Sequence, residues 1–341
     1  VALKNVVIVS PALALENNGN WQTASRWAHF LGERYDVSIV REWTRYCPSL
    51  PAPDLLIALH ARRAGASLAA YTEALPGRPS VLVLTGTDLY RDIAIDAEAQ
   101  ASLRCANALV VLQDAGLALL PADVRAKARV IYQSAEALPP RAHLQRHAAH
   151  RRVLPITMVG HLRAEKDPLT FIAAAALVTS PKARMVHIGG ALDPKLGAAA
   201  AQAQATNPRY RWLGNLAHAI TRLRLRRSHA MVIASRMEGG ANVIIEAVTS
   251  GVPVLASDIS GNRGMLGDDY CGYFAPGDSD ALARLVERSI DDVAFYRHLG
   301  VQCAARAALF APDAEQAAVL RLVDNLLVSY PPAPILRQEK S

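Results

Sequence analysis

Residues 229–257 read HAMVIASRMEGGANVIIEAVTSGVPVLAS, and this single stretch holds a complete strand, loop, helix and strand. His229 to Ser235 is a short apolar run, Gly239-Gly240 is a turn signal, Asn242 to Glu246 opens a helix-like run, and Gly251 to Ser257 is a second apolar run. That order reads as a βαβ unit, and such a crossover belongs to a parallel sheet. Glu238 falls in the loop and Glu246 on the helix that the loop opens. A helix N-terminus offers unpaired N–H groups and a positive dipole end to an anion, while carboxylates accept hydrogen bonds from hydroxyls. The layout suits a ligand that carries both a diphosphate and a sugar. The bland alternative is a turn residue and a solvated helix residue, and short motifs alone do not exclude it.

Moving outward, the same rhythm repeats along the chain. In the first half, strand-like runs are expected at Val6-Ser10, Val37-Arg41, Leu55-His60, Ser80-Gly86, Ala108-Gln113 and Ala128-Ser134. In the second half they are expected at Ile156-His161, Ala183-Gly190, Tyr210-Gly214, His229-Ser235, Gly251-Ser257 and Cys271-Ala275, separated by helical stretches such as Pro168-Val178 and Ala191-Ala205. Proline and basic residues with little apolar periodicity fill the stretch between. The fold class is therefore α/β, with two doubly wound parallel-sheet domains. They are an N-terminal domain at 1–137 and a second domain at 156–310, joined by a linker at 138–155; a C-terminal helix at 311–330 and a loose tail at 331–341 follow. A chain of 341 residues exceeds the usual size of one hydrophobic core, which agrees with two domains.

The net charge of +7 suits anionic ligands, but the basic clusters at Arg141–Arg152 and Arg222–Arg227 lack interleaved aromatic residues, so nucleic acid is not an expected partner. The first cluster reads as linker and the second as a solvated helix face. No apolar stretch approaches the ~20 residues of a membrane span, and a soluble, cytoplasmic protein is expected. Cys47, Cys105, Cys271 and Cys303 are widely spaced, which suggests reduced thiols rather than zinc ligands or a disulfide framework. Asp278-Ser279-Asp280 opens a helix and reads as its cap rather than as a metal site.

Ligands of open α/β sheets bind outside the carboxyl ends of the strands. In the second domain those positions include Gly160-His161-Leu162-Arg163-Ala164-Glu165-Lys166 and Ser235-Arg236-Met237-Glu238. In the first they are Asn17-Asn18-Gly19-Asn20-Trp21-Gln22-Thr23, His60-Ala61-Arg62-Arg63, and Thr85-Gly86-Thr87-Asp88-Leu89-Tyr90-Arg91-Asp92.

These motifs resemble the retaining glycosyltransferases of the GT-B fold, in the GT4 group. The segment from Gly160 to Lys166 resembles that group's G-R-L-x-x-E-K, and Ser235 to Pro253 resembles its S-x-x-E-G-x-x-x-x-x-E-A-x-x-x-G-x-P. The resemblance implies two Rossmann-like domains facing a central cleft, with C-terminal helices packing back on the first. It implies that Lys166 binds the donor diphosphate, that Glu246 binds the nucleotide ribose, and that Glu238 with backbone N–H groups from Gly239, Gly240, Ala241 and Asn242 holds the donor sugar and phosphates. Two positions depart from the group. His161 stands where its diphosphate arginine would be, with Arg163 as a substitute, and Thr85 stands where many members carry a histidine in H-G-T-D.

The first-domain segments, with Ser10-Pro11 and Val130-Ile131-Tyr132-Gln133-Ser134, resemble the selenosugar synthases of selenoneine biosynthesis. That resemblance implies small-molecule substrates, UDP-N-acetylglucosamine and selenophosphate, giving a 1-seleno sugar, UDP and phosphate. The acceptor side would be formed by Asn18, Asn20, Thr23, His60, Arg62, Thr85, Asp88 and Arg91, with Gly19 near the donor and His60, Arg91 and Glu238 as catalytic candidates. Bland readings stand beside these: a solvated helix start for Arg62 and Arg63, a plain turn for Asn18 to Asn20, a structural histidine for His60 and a helix cap for Asp88. Departure of UDP places negative charge on phosphate, and Lys166, Arg163 and the helix beginning near Asn242 would stabilise it, so neither metal nor cofactor is expected. Oligomeric state and anomeric outcome are not legible. Two alternatives stay open: a GT4 transferase acting on a hydroxyl of a lipid or polysaccharide, which would need a membrane-docking helix with Arg26-Trp27 to Arg34 as the candidate, and a non-catalytic sugar-nucleotide or nucleic-acid binding module.

Overall fold

The computed structural model describes residues 3–15, 19–45, 51–138 and 153–330. Asn18, Cys47, the Arg141–Arg152 cluster and the 331–341 tail lie outside the described residues. The chain divides into two compact units, one made of the residues up to Tyr132 and those from Asp313 onward, the other spanning Gln133–Pro312.

The first unit is built on a six-stranded sheet of β1 (Asn5–Val9), β2 (Asp36–Val40), β3 (Leu55–Leu59), β4 (Ser80–Leu84), β5 (Ala108–Val111) and β6 (Ala128–Val130), in the order β2-β1-β3-β4-β5-β6. Every pairing is parallel. Strands β3, β4 and β5 are buried at every position, as expected when helices cover both faces of a parallel sheet. Alternation along each strand divides the core. Val7, Leu56, Ala58, Leu82 and Leu84 face the side of α2 (Gly65–Ala74) and α3 (Ala97–Cys105), while Val6, Ile8, Leu55, Ile57 and Val83 face α1 (Gly19–Leu31).

The C-terminal helix Pro312–Ser329 completes that second face with Val319, Leu320, Val323 and Leu327, as the packing back of C-terminal helices anticipated. Its Glu315 is buried and accepts from Arg26 Nε at 2.6 Å and from Trp27 Nε1 at 2.8 Å. This corrects the reading of Arg26 to Arg34 as a membrane-docking face. Trp27 has no exposed surface, because the C-terminal helix covers it and binds its indole. No described helix is long and apolar enough to cross a membrane.

The second unit carries β7 (Leu154–Val159), β8 (Ala183–Ile188), β9 (Tyr210–Trp212), β10 (Ala230–Ile233), β11 (Val254–Ser257) and β12 (Tyr273–Phe274) in the order β12-β11-β10-β7-β8-β9, again wholly parallel. Counted from β7, this is the 3-2-1-4-5-6 order of a dinucleotide-binding sheet, with its topological switch between β7 and β10. Its helices are α4 (Pro168–Leu177), α5 (Pro194–Thr206), α6 (His218–Leu225), α7 (Asn242–Thr249), α8 (Ser260–Leu266), α9 (Ser279–Asp291) and α10 (Val293–Arg306). Asp278 Oδ1 accepts from Ala281 N at 2.8 Å, so the Asp278-Ser279-Asp280 run does cap α9. The cluster at Arg222–Arg227 is less solvated than its composition suggested: Arg222 and Arg226 are half-buried, and Arg222 donates to the Glu136 carbonyl.

Several expected strands overrun the observed ones at their carboxyl ends. The run to His161 stops at Val159, that to Gly190 at Ile188, and that to Ser235 at Ile233. The surplus residues turn out of the sheet into loops, and these loops form the candidate site.

Candidate active site

In the second unit the loops after β7 and β10 leave the sheet at the switch point and are tied together by side chains from both. Lys166, at the end of the short turn Ala164–Lys166, forms an ion pair through Nζ with Glu238 Oε1. Ser235 Oγ donates to the same carboxylate oxygen at 2.5 Å. Arg236 N donates to the Glu165 carbonyl at 2.9 Å, and Arg236 Nε donates to Asp167 Oδ2 at 3.0 Å. Asp167 has left-handed backbone geometry (φ 45°), a strained state for a non-glycine residue that its bonds to Arg236 and Thr170 hold in place.

The floor of this loop pair is equally constrained. At Gly189 a Cβ would lie 1.9 Å from the Gly160 carbonyl oxygen, so only glycine allows the two chains to approach so closely. His187 is fully buried, and burial pushes its pKa down to about 4, leaving a neutral ring. Its Nε2 then donates to the Gly160 carbonyl at 3.1 Å, and its Nδ1 accepts from Tyr210 OH at 3.1 Å.

His161 is neutral for related reasons. Burial, reinforced by the charges of Arg163 and Lys166, lowers its pKa, and its Nδ1 accepts from Gly190 N at 3.1 Å. The positive charge available to an anion here therefore comes from Lys166 and from Arg163, which is exposed and whose side chain has no hydrogen-bond or ion-pair partner among the described residues. Gly239, Gly240 and Ala241 lead into α7, and no side chain caps its first turn. Glu246, on the second turn, is mostly buried, and its Oε1 lies 2.6 Å from Nε2 of His218 on α6. Sequence reasoning missed His218, because a single histidine at a helix start carries no sign of which neighbouring helix it meets.

In the first unit the loops after β3 and β4 are joined through two aspartates. Asp88 is fully buried and accepts from Ala61 N at 2.9 Å, Thr85 N at 3.0 Å and Gly86 N at 2.8 Å. Neither a simple cap nor an exposed acceptor ligand, it fastens one loop to the other. His60 has φ 81°, is buried, and has Nε2 3.1 Å from Thr87 Oγ1 while Nδ1 accepts from Arg63 N at 3.3 Å. Burial keeps its pKa low despite the raising influence of Asp88 and Asp92. Both ring nitrogens thus have partners within the protein. Arg62 and Arg91 both reach Asp92, at 3.2 Å and 3.0 Å. Asp92 is the residue the motif reading overlooked as a partner, since nothing in the linear order announces a carboxylate shared by two loops. Gly19 and Asn20 start α1, and Thr23 is buried in it with Oγ1 donating to the Gly19 carbonyl at 2.9 Å.

Residues 145–303 match the family described as Glycosyl transferases group 1. No curated protein matches the chain significantly. Among solved structures, the fold is similar to sucrose-phosphate synthase from Thermosynechococcus elongatus, with a TM-score of 0.76, 17% identity, and coverage of 96% of this chain and 100% of that one. It is also similar to Anabaena HepE in complex with UDP-glucose (TM-score 0.73, 16% identity, 95% of this chain and 100% of that one). A third is a UDP-forming α,α-trehalose-phosphate synthase from Burkholderia xenovorans in complex with glucose-6-phosphate (TM-score 0.72, 10% identity, 94% and 100%). The family match falls on the segment that holds Lys166, Glu238 and Glu246, so residues 145–303 are similar to the glycosyl transferases group 1 family, and the fold of the chain is similar to that of these solved proteins.

Proposed function

We propose that the protein transfers N-acetylglucosamine from UDP-N-acetylglucosamine to selenophosphate, forming a C–Se bond. The observation that carries this reading is the pair of half-exposed guanidiniums, Arg62 and Arg91, held at one carboxylate at the carboxyl ends of β3 and β4, where a small phosphate-like acceptor finds charge-assisted bonds. The selenium itself rests on the resemblance of the first-domain segments to selenosugar synthases. On the donor side, the UDP-glucose complex of HepE supports a nucleotide sugar.

In this reading the diphosphate takes Lys166 and Arg163 as counter-charges and the uncapped first turn of α7 as backbone donor. Lys166 exchanges Glu238 for phosphate, which frees the Glu238 carboxylate for sugar hydroxyls. Glu246 accepts from the ribose. The selenium anion attacks the anomeric carbon as its bond to the UDP oxygen breaks, and fixed positive charge stabilises the departing UDP. Water then cleaves the Se–P bond, so that one UDP-sugar, one selenophosphate and one water give one seleno sugar, one UDP and one phosphate. An anionic selenium nucleophile needs no strong base, which agrees with a His60 whose ring nitrogens are already partnered.

Purified protein incubated with both substrates is expected to release UDP and a selenium-containing hexosamine detectable by mass spectrometry. No product above a Glu238→Ala control sinks the proposal. A second reading, transfer to a hydroxyl of a phosphate-bearing sugar, is favoured by the neighbour solved with glucose-6-phosphate. It wins if sugar phosphates, and not selenophosphate, drive UDP release.

A further inference from the structure

Arg62 and Arg91 enter from loops behind two neighbouring strands, β3 and β4, yet both address one carboxylate. Arg62 Nε lies 3.2 Å from Asp92 Oδ2, and Arg91 Nε lies 3.0 Å from Asp92 Oδ1. The side chain of Asp92 is only 5% exposed, against 43% for Arg62 and 45% for Arg91. Negative charge thus lies underneath, with two positive groups reaching solvent. Neither guanidinium has another hydrogen-bond or ion-pair partner among the described residues. Arg91 Nε donates to Asp92 and Arg62 Nε lies at ion-pair distance from it, so the terminal N–H groups of both forks are left for a ligand, and such forks match the oxygens of a tetrahedral oxyanion.

Two further observations mark Asp92 as more than a surface ion-pair partner. Its Oδ2 is buried without a hydrogen bond of regular geometry, a state that native proteins rarely keep without a reason. It also ends a five-residue π-helical turn, Asp88–Asp92, a rare backbone form found often at functional sites. The neighbouring Asp88 anchors the start of that turn to the β3 loop, so the element that aims Arg91 is fixed against the one that aims Arg62.

We infer that Asp92 is a positioning residue that presents Arg62 and Arg91 as a paired clamp for a phosphate-like group of the acceptor. The inference rests on the proposed phosphate-like acceptor and adds the group that gives the clamp its shape. Asp92 does not touch the substrate. It binds the inner edge of each guanidinium, so removing its charge lets both arginines swing apart without removing either.

The test is calorimetric titration of the full chain with inorganic phosphate, and separately with UDP, for the wild type, Asp92→Asn, Arg62→Ala and Arg91→Ala. Phosphate is expected to bind the wild type, and each variant is expected to weaken it about tenfold or more, the scale of one charge-assisted hydrogen bond. UDP affinity is expected to stay unchanged in all three, which a merely destabilising change at Asp92 would not achieve. Equal phosphate affinity in wild type and Asp92→Asn overturns the role of Asp92 while leaving the anion site standing. Absence of phosphate binding to the wild type overturns the anion site and the inference together. Should Asp92→Asn fail to fold, Asp92→Glu keeps the charge on a longer arm, and wild-type phosphate affinity in that variant overturns the inference instead.

Discussion

Lys166 and Glu238 neutralise each other across two loops, and this mutual dependence sets the expected phenotype of each. Lys166→Ala is expected to lower kcat/KM for the nucleotide sugar by roughly a hundredfold or more, the scale for removing one preorganised charge from a departing anion. Steady-state kinetics with varied donor checks it, and an unchanged value would remove Lys166 from the diphosphate site. Gly189 tests the loop floor. A Cβ 1.9 Å from the Gly160 carbonyl cannot be relieved by a side-chain shift, so Gly189→Ala is expected to destabilise the fold by roughly 3 kcal/mol or more in urea titrations. His187 makes stability depend on pH. Its folded pKa of about 4 lies below the unfolded value of 6.5, so the unfolded chain takes up a proton first as the pH falls. The buried neutral ring is therefore expected to withdraw on the order of 3 kcal/mol of stability between pH 6.5 and pH 4. His187→Gln, compared with wild type by thermal melts across that window, is expected to show a shallower slope. The Glu238 and Glu246 spacing and the segment ending at Lys166 were legible as motifs, but the His218 contact with Glu246 and the convergence of two arginines on Asp92 were not, because they join residues whose sequence neighbours carry no pairing signal.

Elements were easier to foresee than contacts. Short, wholly apolar strands such as β3 and β4 announce a sheet covered on both faces, and their recurrence between helical stretches announces parallel crossovers. What the pattern left open was the role of α1, a candidate membrane-docking helix under one alternative reading until the C-terminal helix is laid against it. Glu315 satisfies the indole of Trp27 and the guanidinium of Arg26 from inside that contact. Glu315→Ala is expected to cost about 3–5 kcal/mol, since it leaves the Arg26 charge without its counter-ion and the buried indole N–H without a partner. Chemical denaturation followed by tryptophan fluorescence checks the value, and a change below about 1 kcal/mol would show that the helix contact is held by its apolar residues alone.

At the scale of the molecule, each unit places its candidate residues at the carboxyl ends of one parallel sheet, and in the second unit those loops flank the switch in strand order. The donor and acceptor assignments therefore make separate predictions. UDP is expected to slow amide hydrogen exchange in 160–166 and 235–246, and inorganic phosphate in 60–63 and 85–92. Exchange mass spectrometry checks both, and phosphate protection confined to the second unit would reverse the acceptor assignment. The sequence by itself determined the two α/β sheets, the order of strand and helix and the loop that carries Glu238, because hydrophobic periodicity and turn residues act over neighbouring positions. Only the tertiary structure decided that His161 is a neutral ring, that Asp88 is an internal fastener and that Arg62 and Arg91 share Asp92. Those outcomes depend on burial and on charges brought together from distant parts of the chain, and neither quantity exists until the loops have met.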